Sequence, residues 1–205
     1  MSLKAAITVF FALVSSPAFA FLSLNESGEI TPPGIYKLGV EPQIRLSNGS
    51  GGNLGVFIDS AINDDWSWRA QMGTGDTDFW AAGSAKWVPI PDYQNQPAIG
   101  LRMEANIGRE DNESFSVLRV APLVSKGYDT DIGKITPYAA LPIGLFASKG
   151  SSDSISQFVI GSEGRFEQTP DFLFSAEIGF NMSRTFSYLA GTATYFFRDT
   201  NTRKR

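Results

Sequence analysis

The feature that most constrains this chain is a strict two-residue alternation between residues 172 and 197. From 172 to 182 every second side chain is apolar, and those between are mostly small or polar, with one carboxylate, Glu177. The pattern returns from 188 to 197 after a turn at Ser183-Arg184. A period of two over about ten residues is typical of a half-buried strand, and about ten residues is also the length of a tilted strand that crosses a bilayer.

The same alternation recurs along the chain from residue 35 onward, with no linker, heptad pattern or low-complexity segment. A helix would scramble the two faces, because its period is 3.6 residues. The sequence therefore predicts an all-β fold: a closed antiparallel up-and-down transmembrane β-barrel of about ten strands, with eight or twelve as alternatives. The predicted strands are 35–46, 53–62, 66–74, 78–89, 97–108, 114–125, 134–148, 155–166, 172–182 and 186–197.

The connections between these segments alternate between two kinds. One kind is polar and free of proline, and the other is marked by prolines such as Pro91, Pro97 and Pro170. Up-and-down strands place alternate connections on opposite rims, so the two rims should differ in chemistry, with both termini on the proline-bearing one. Pro42 and Pro142 fall inside predicted strands, where each removes a ladder hydrogen bond. Bulges or displaced strand boundaries are expected there.

The first 20 residues predict a secretory signal peptide. Lys4 gives a basic start, Ala5 to Val14 is an apolar run too short to span a membrane, and Ala18-Phe-Ala20 supplies a cleavage site. The alternative is a buried N-terminal helix. The predicted organisation is a signal peptide at 1–20, an extended segment at 21–33, the barrel at 34–197 and a basic tail at 198–205.

Cleavage after Ala20 makes Phe21 the first residue of the exported protein. N-terminal sequencing of that protein should therefore begin at Phe21, because the small side chains at 18 and 20 fit the signal-peptidase site. Recovery of Met1 from the exported protein would contradict this prediction.

Composition excludes several classes of function. There is no cysteine, and hence no disulfide, thiolate metal site or lipid-modified cysteine. There is no histidine, which removes the commonest general base and nitrogen ligand. Removal of Lys4 with the signal peptide changes the net charge from −4 to −5, a mild acidity that points away from nucleic acid. The paired aspartates Asp76/Asp78 and Asp129/Asp131 fit acidic turns better than calcium ligands. We expect no cofactor and no metal.

Two observations indicate that the apolar face lies outside. The polar face mixes charges with many small residues, as a crowded lumen requires. Large aromatics on the apolar face also collect near the inferred rims, as in the girdles of membrane barrels. Phe79, Phe146 and Phe158 are expected toward the proline-free end. The girdle expected at the proline-bearing end comprises Tyr36, Trp66, Trp87, Phe172, Tyr195 and Phe197.

The polar face carries charges that should pair across the lumen, since isolated charges in a narrow interior are costly. Two interpretations are open: a salt-bridged interior that closes the barrel, which we favour, or a small polar pore. The charged positions, with Asp59 and Asp78 on the same face, are Lys37, Glu41, Arg45, Arg69, Lys86, Arg102, Glu104, Arg119, Glu163, Arg165 and Glu177.

From Ile35 to Phe197, and in its signal peptide, the chain resembles small bacterial outer-membrane β-barrel proteins of the eight- to ten-stranded kind. Tyr195-Phe-Phe197 is similar to the aromatic C-terminal signal of that class, although eight residues follow it here. The resemblance implies a Gram-negative outer-membrane location, contact with outer-membrane lipid and insertion by the outer-membrane assembly machinery. It leaves the oligomeric state open.

The expected role is structural or narrow, porin-like passive permeation. One alternative is a soluble periplasmic lipocalin-like barrel that binds an apolar ligand inside. Another is surface adhesion or interaction, which the short predicted loops disfavour. We do not expect an enzyme, because the catalytic outer-membrane barrels that the resemblance brings in use histidine. The spacing of Glu41, Glu104, Glu163 and Glu177 favours structural pairing over carboxylate chemistry.

Overall fold

The computed structural model describes residues 22–47 and 51–198. Strands are the only regular elements of those residues. No helix in this part of the chain is long and apolar enough to cross a membrane, an observation that bears only on helices. The strands are β1 (Ile35–Arg45), β2 (Gly51–Ala61), β3 (Trp66–Gly75), β4 (Phe79–Ile90), β5 (Ala98–Glu110), β6 (Glu113–Ser125), β7 (Tyr128–Thr130), β8 (Gly133–Ala140), β9 (Ile143–Ser148), β10 (Ser151–Phe166), β11 (Phe172–Ser183) and β12 (Tyr188–Arg198).

The sheet closes on itself as a ten-stranded antiparallel barrel. Strand β1 pairs with β2 on one side and with β12 on the other, so the first and last strands meet. Strands β8 and β9 both lie between β6 and β10 and together fill one barrel position. Strand β7 pairs with β8 as a short extension of the sheet. The predicted fold class is confirmed.

Proline explains how the seventh predicted strand divides. Leu141 and Pro142 interrupt the segment predicted at 134–148, and the ladder resumes at Ile143. The backbone there stays bonded, since Leu141 N–H donates to Pro122 O and the Pro142 carbonyl accepts from Gln157 N–H. Pro42 behaves differently: it stays within β1 opposite Leu54, and pairing with β12 lapses around it without a shift of register. The bulge considered for Pro42 is therefore absent, and a strand boundary lies at Pro142.

Alternation of burial shows which side chains face the lumen. In β6 the residues from Phe115 to Ser125 alternate strictly, with odd positions buried and even positions exposed. The exposed set on the barrel is largely aliphatic or aromatic, and most of the charged strand residues are in the buried set. The apolar face is therefore outside, as the sequence indicated.

Two rims with different connections result. The proline rim holds the start of β1, the end of β12 and the connections 62–65, 91–97, 126–132 and 167–171. The hairpin rim holds short turns such as 111–112 and 149–150. Asp111 and Asn112 both have positive φ, 49° and 67°, which suits a two-residue turn matched to the twist of the strands.

The remaining predicted boundaries have mixed outcomes. Arg198, the first residue of the predicted tail, is the last residue of β12 and lies opposite Ile35. Strand β10 begins at Ser151 rather than 155, because a polar hairpin pairs Ser151 with Ser148. The signal peptide, its cleavage site at Ala20, and the tail beyond 198 lie outside the described residues.

Candidate functional site

The lumen is occupied by the chain's own N-terminal segment. Residues Leu22 to Ser27 are 0–3% exposed although they belong to no strand. The segment enters at the proline rim, where Gly28 N–H donates to the Ser125 hydroxyl at 3.0 Å. It continues inward until Leu22 lies beside Tyr188, whose hydroxyl faces the Leu22 carbonyl at 3.5 Å. We call residues 22–27 the plug.

Glu26 is the centre of the charge network around the plug. Its carboxylate lies 2.7 Å from Lys86 Nζ, 3.2 Å from Arg102 Nη1 and 3.9 Å from Arg69 Nη2. Lys86 and Arg102 are direct cross-strand neighbours of β4 and β5, an arrangement that is repulsive without an anion between them. Burial alone would raise the pKa of Glu26, but Lys86, Arg69 and Arg102 outweigh burial and lower that pKa, which keeps the carboxylate ionised.

The backbone carbonyls of the plug accept hydrogen bonds from wall cations. Arg69 and Arg102 both donate to the Leu24 carbonyl, at 3.2 and 2.7 Å. Arg119 donates to the carbonyls of Leu22 and Ser23, the latter at 2.9 Å. These carbonyls have no sheet partner, so the guanidinium groups satisfy backbone acceptors that would otherwise be buried unpaired.

Two wall carboxylates bind the opposite side of the plug. Glu177 accepts from the N–H groups of Leu24 and Asn25 at 2.8 and 2.7 Å, and from the hydroxyls of Tyr138 and Tyr188, both at 2.6 Å. Glu41 accepts from the Ser23 hydroxyl and the Asn25 amide, both at 2.5 Å. The plug is thus held between β1 and β11 on one side and β3 to β6 on the other.

Wall charges also pair with one another. Asp59 lies 3.0 Å from Arg69 and 3.6 Å from Lys37. Glu104 lies 2.6 Å from Arg102 and 2.7 Å from Arg119. Near the hairpin rim Arg45 crosses the lumen to Glu110 at 3.7 Å.

An apolar cluster lies in the hairpin-rim half of the lumen, beside buried polar side chains such as Gln43, Gln71 and Asn106, and the sequence did not indicate it. Phe146 stacks on Phe115 with ring centroids 5.9 Å apart, and both are buried inside the barrel. The expected position of Phe146 on the lipid face is therefore wrong, whereas Phe79 and Phe158 are exposed as expected. This apolar layer comprises Leu22, Trp80, Phe115, Val117, Phe146, Ile155, Phe186 and Tyr188.

Most of the charged positions predicted for the lumen lie in it. Arg165 is the exception among them: it is exposed at the proline rim, where it donates to the Pro170 carbonyl and lies 4.7 Å from the Phe196 ring centroid. Asp78 is likewise exposed, in the connection after β3. The buried positions are Lys37, Glu41, Arg45, Arg69, Lys86, Arg102, Glu104, Arg119, Glu163 and Glu177.

Sequence reasoning missed the plug itself, from Leu22 to Ser27, because it carries no periodicity of its own. A signal was present in the pairing of β4 with β5. In the register of these two strands Lys86 lies directly opposite Arg102. The two positive charges repel each other unless a carboxylate lies between them, and neither strand provides one at this position. Glu26 in the preceding segment provides it.

The six predicted girdle residues form three cross-strand pairs near the proline rim. Tyr36 stacks on Phe197 at 5.4 Å and Trp66 on Trp87 at 5.9 Å, both measured between ring centroids. Phe172 and Tyr195 pair at 5.4 Å with tilted rings. Aromatic rings at this level match the interfacial belt of membrane barrels.

Among the described residues, no group of three or more acidic, histidine or cysteine side chains is arranged to hold a metal ion. No family model matches the chain, and no curated protein matches it.

Two solved structures are distantly similar to the chain. The translocator domain of the autotransporter NalP from Neisseria meningitidis is 11% identical over 96% of both chains, with a TM-score of 0.41. Ail, the attachment invasion locus protein of Yersinia pestis, is 11% identical over 80% of this chain and 99% of its own, with a TM-score of 0.28. The fold is established by the strand pairing of the chain itself. By its strand pairing, the chain is a small closed antiparallel β-barrel with an apolar outer face.

Proposed function

We propose that the chain is an outer-membrane β-barrel protein with a structural role, whose lumen is closed by its own N-terminal segment. The observation that supports closure is the burial of Leu22 to Ser27 between opposite walls of the barrel. The proposal has two parts, location in the membrane and closure of the lumen, and each is supported by different residues.

Location in the membrane is supported by the outer surface. Aliphatic side chains such as Val40, Ile107, Leu118 and Leu145 are 47–61% exposed on it. An apolar surface of this extent is unfavourable in water and favourable against acyl chains. A soluble barrel with an internal apolar ligand would need the reverse orientation, so the lipocalin-like alternative is not supported. Partners in this proposal are outer-membrane lipid and the assembly machinery.

Closure is supported by two layers in series. The first is the plug, whose polar atoms are bound by cations and carboxylates of the wall. The second is the apolar layer near the hairpin rim, in which Trp80, Phe115 and Phe186 are buried. Paired and desolvated charges do not provide the hydrated lining that permeating ions need.

Two lumen carboxylates, Glu104 and Glu177, also argue against catalysis. Glu104 lies against Arg102 and Arg119, and Glu177 accepts four hydrogen bonds. A carboxylate held in this way has no free lone pair directed at a substrate. We therefore propose no enzymatic activity, and the short hairpin-rim turns give no support to an adhesive surface.

Location is tested by fractionation and gel mobility. The protein should appear in the outer-membrane fraction, and unboiled samples in cold detergent should migrate differently from boiled ones, because a closed barrel keeps its hydrogen-bonded sheet until heated. Recovery in the soluble periplasmic fraction, without a shift of mobility on boiling, would contradict the membrane part of the proposal.

Closure is tested separately by planar-bilayer recording of the folded wild-type protein. We expect no stable conductance, because both layers block the lumen. A general porin reconstituted in the same lipid serves as the positive control. Steady, reproducible conductance steps from the purified wild type would overturn the closed state and favour narrow permeation.

A further inference from the structure

A cavity of about 550 Å³ opens at the proline rim beside the segment that leads to the plug. One side is formed by Glu29, Thr31 and Pro32 of that segment, and the other by the inner faces of β1, β8, β10, β11 and β12. Its volume is within the range of small-molecule sites in proteins. It is separate from the contacts that hold Glu26.

The inner end of this cavity carries two opposite charges that do not touch. Glu163 is 6% exposed and Lys37 is 7% exposed, and both line the cavity. Both side chains therefore border the same enclosed space. Among the described residues, however, Lys37 has an ion pair only with Asp59, and Glu163 has none within 4.0 Å.

Part of the cavity wall between this charged end and the rim is apolar, while Lys134, Arg165, Asp171 and Arg198 line the cavity near its mouth. Ile35, Leu173 and Phe196 face inward there, and Arg165 covers the Phe196 ring. A ligand that fits both parts has an ammonium and a carboxylate close together at one end and an apolar group at the other. We propose that the cavity binds a small zwitterion with an apolar side chain, an apolar α-amino acid, with its ammonium on Glu163 and its carboxylate on Lys37.

Three matched probes test the proposal on the full-length mature protein in detergent micelles, by titration calorimetry with protein-free micelles as the blank. L-phenylalanine carries both charges, phenethylamine only the ammonium, and 3-phenylpropanoate only the carboxylate. L-phenylalanine should bind about ten- to a hundredfold more tightly than either partial probe, because each charge-assisted hydrogen bond contributes on that scale. Equal affinity for all three probes would mean apolar partition alone and would overturn the proposal.

Variants then assign the roles of the two ends. Glu163→Gln should weaken L-phenylalanine and phenethylamine by about ten- to a hundredfold without weakening 3-phenylpropanoate. Leu173→Trp should abolish binding of all three by filling the cavity, and it leaves the buried charges intact. Glu113→Gln, on the hairpin rim beside exposed Lys149, is the control and should change nothing. Absence of saturable L-phenylalanine binding to the wild type at millimolar concentration, or unchanged binding by Leu173→Trp, would overturn the site.

Discussion

Replacing Glu26 with glutamine is expected to lower the free energy of unfolding of the barrel by about 3–5 kcal/mol, the usual cost of breaking a buried ion pair from one side. The substitution removes the anion between Lys86 and Arg102, which lie directly opposite each other on β4 and β5. Arg102 retains Glu104 and Arg69 retains Asp59, so the uncompensated charge falls on Lys86. Urea unfolding of the protein folded in detergent or lipid measures the change.

Glu29→Gln is the matched control for this variant. Glu29 belongs to the same N-terminal segment, but its side chain is 51% exposed and pairs with Lys134, which is 41% exposed. A solvated pair of this kind contributes about 0–1 kcal/mol, so the control should unfold close to the wild type. Equal unfolding midpoints for Glu26→Gln, Glu29→Gln and the wild type would show that the plug does not depend on its charge cluster.

The barrel could be predicted from the sequence because side-chain direction alternates strictly along a strand. In β11, for example, Ile178 and Phe180 point outward while Glu177 points inward, as alternation requires. The same reasoning failed at Phe146, because part of the hairpin-rim half of the lumen is itself apolar. Hydrophobicity then no longer distinguishes inside from outside, and only the register of β9 against β6 and β10 places the ring.

The plug could not be predicted because its site is assembled from residues far apart in the sequence. The backbone of one plug residue, Leu24, is bound by Arg69 of β3, Arg102 of β5 and Glu177 of β11. These three residues are far apart in the sequence. Periodicity reports local structure, and the segment before β1 has none. The sequence predicted the charged residues of the lumen wall, but it did not predict that Glu26 of the plug pairs with Lys86 and Arg102.

The second large effect is expected on the lipid face. Ile178→Arg should lower the free energy of unfolding in bilayers by about 2–4 kcal/mol, the cost of arginine near the bilayer midplane on a barrel exterior. Ile178 lies midway along β11, between Ile160 of β10 and Leu189 of β12, with Phe172 of the girdle six residues away at the proline rim. Its direct neighbours on both adjacent strands are aliphatic, so the guanidinium would have no polar group beside it.

Leu101→Arg is the control at a different depth. Leu101 lies directly opposite Trp87 of the girdle and Pro122 near the proline rim, where an arginine reaches the headgroups. Its cost should be about 0–1 kcal/mol, as for arginine near the interface of a membrane barrel. The two variants differ in the depth of the new arginine in the bilayer. Both positions are on the outer face of the barrel, so the contacts inside the lumen are unchanged. Equal unfolding free energies for Ile178→Arg and the wild type would contradict a lipid-facing surface, whereas equal losses at both positions would place the membrane centre nearer the proline rim.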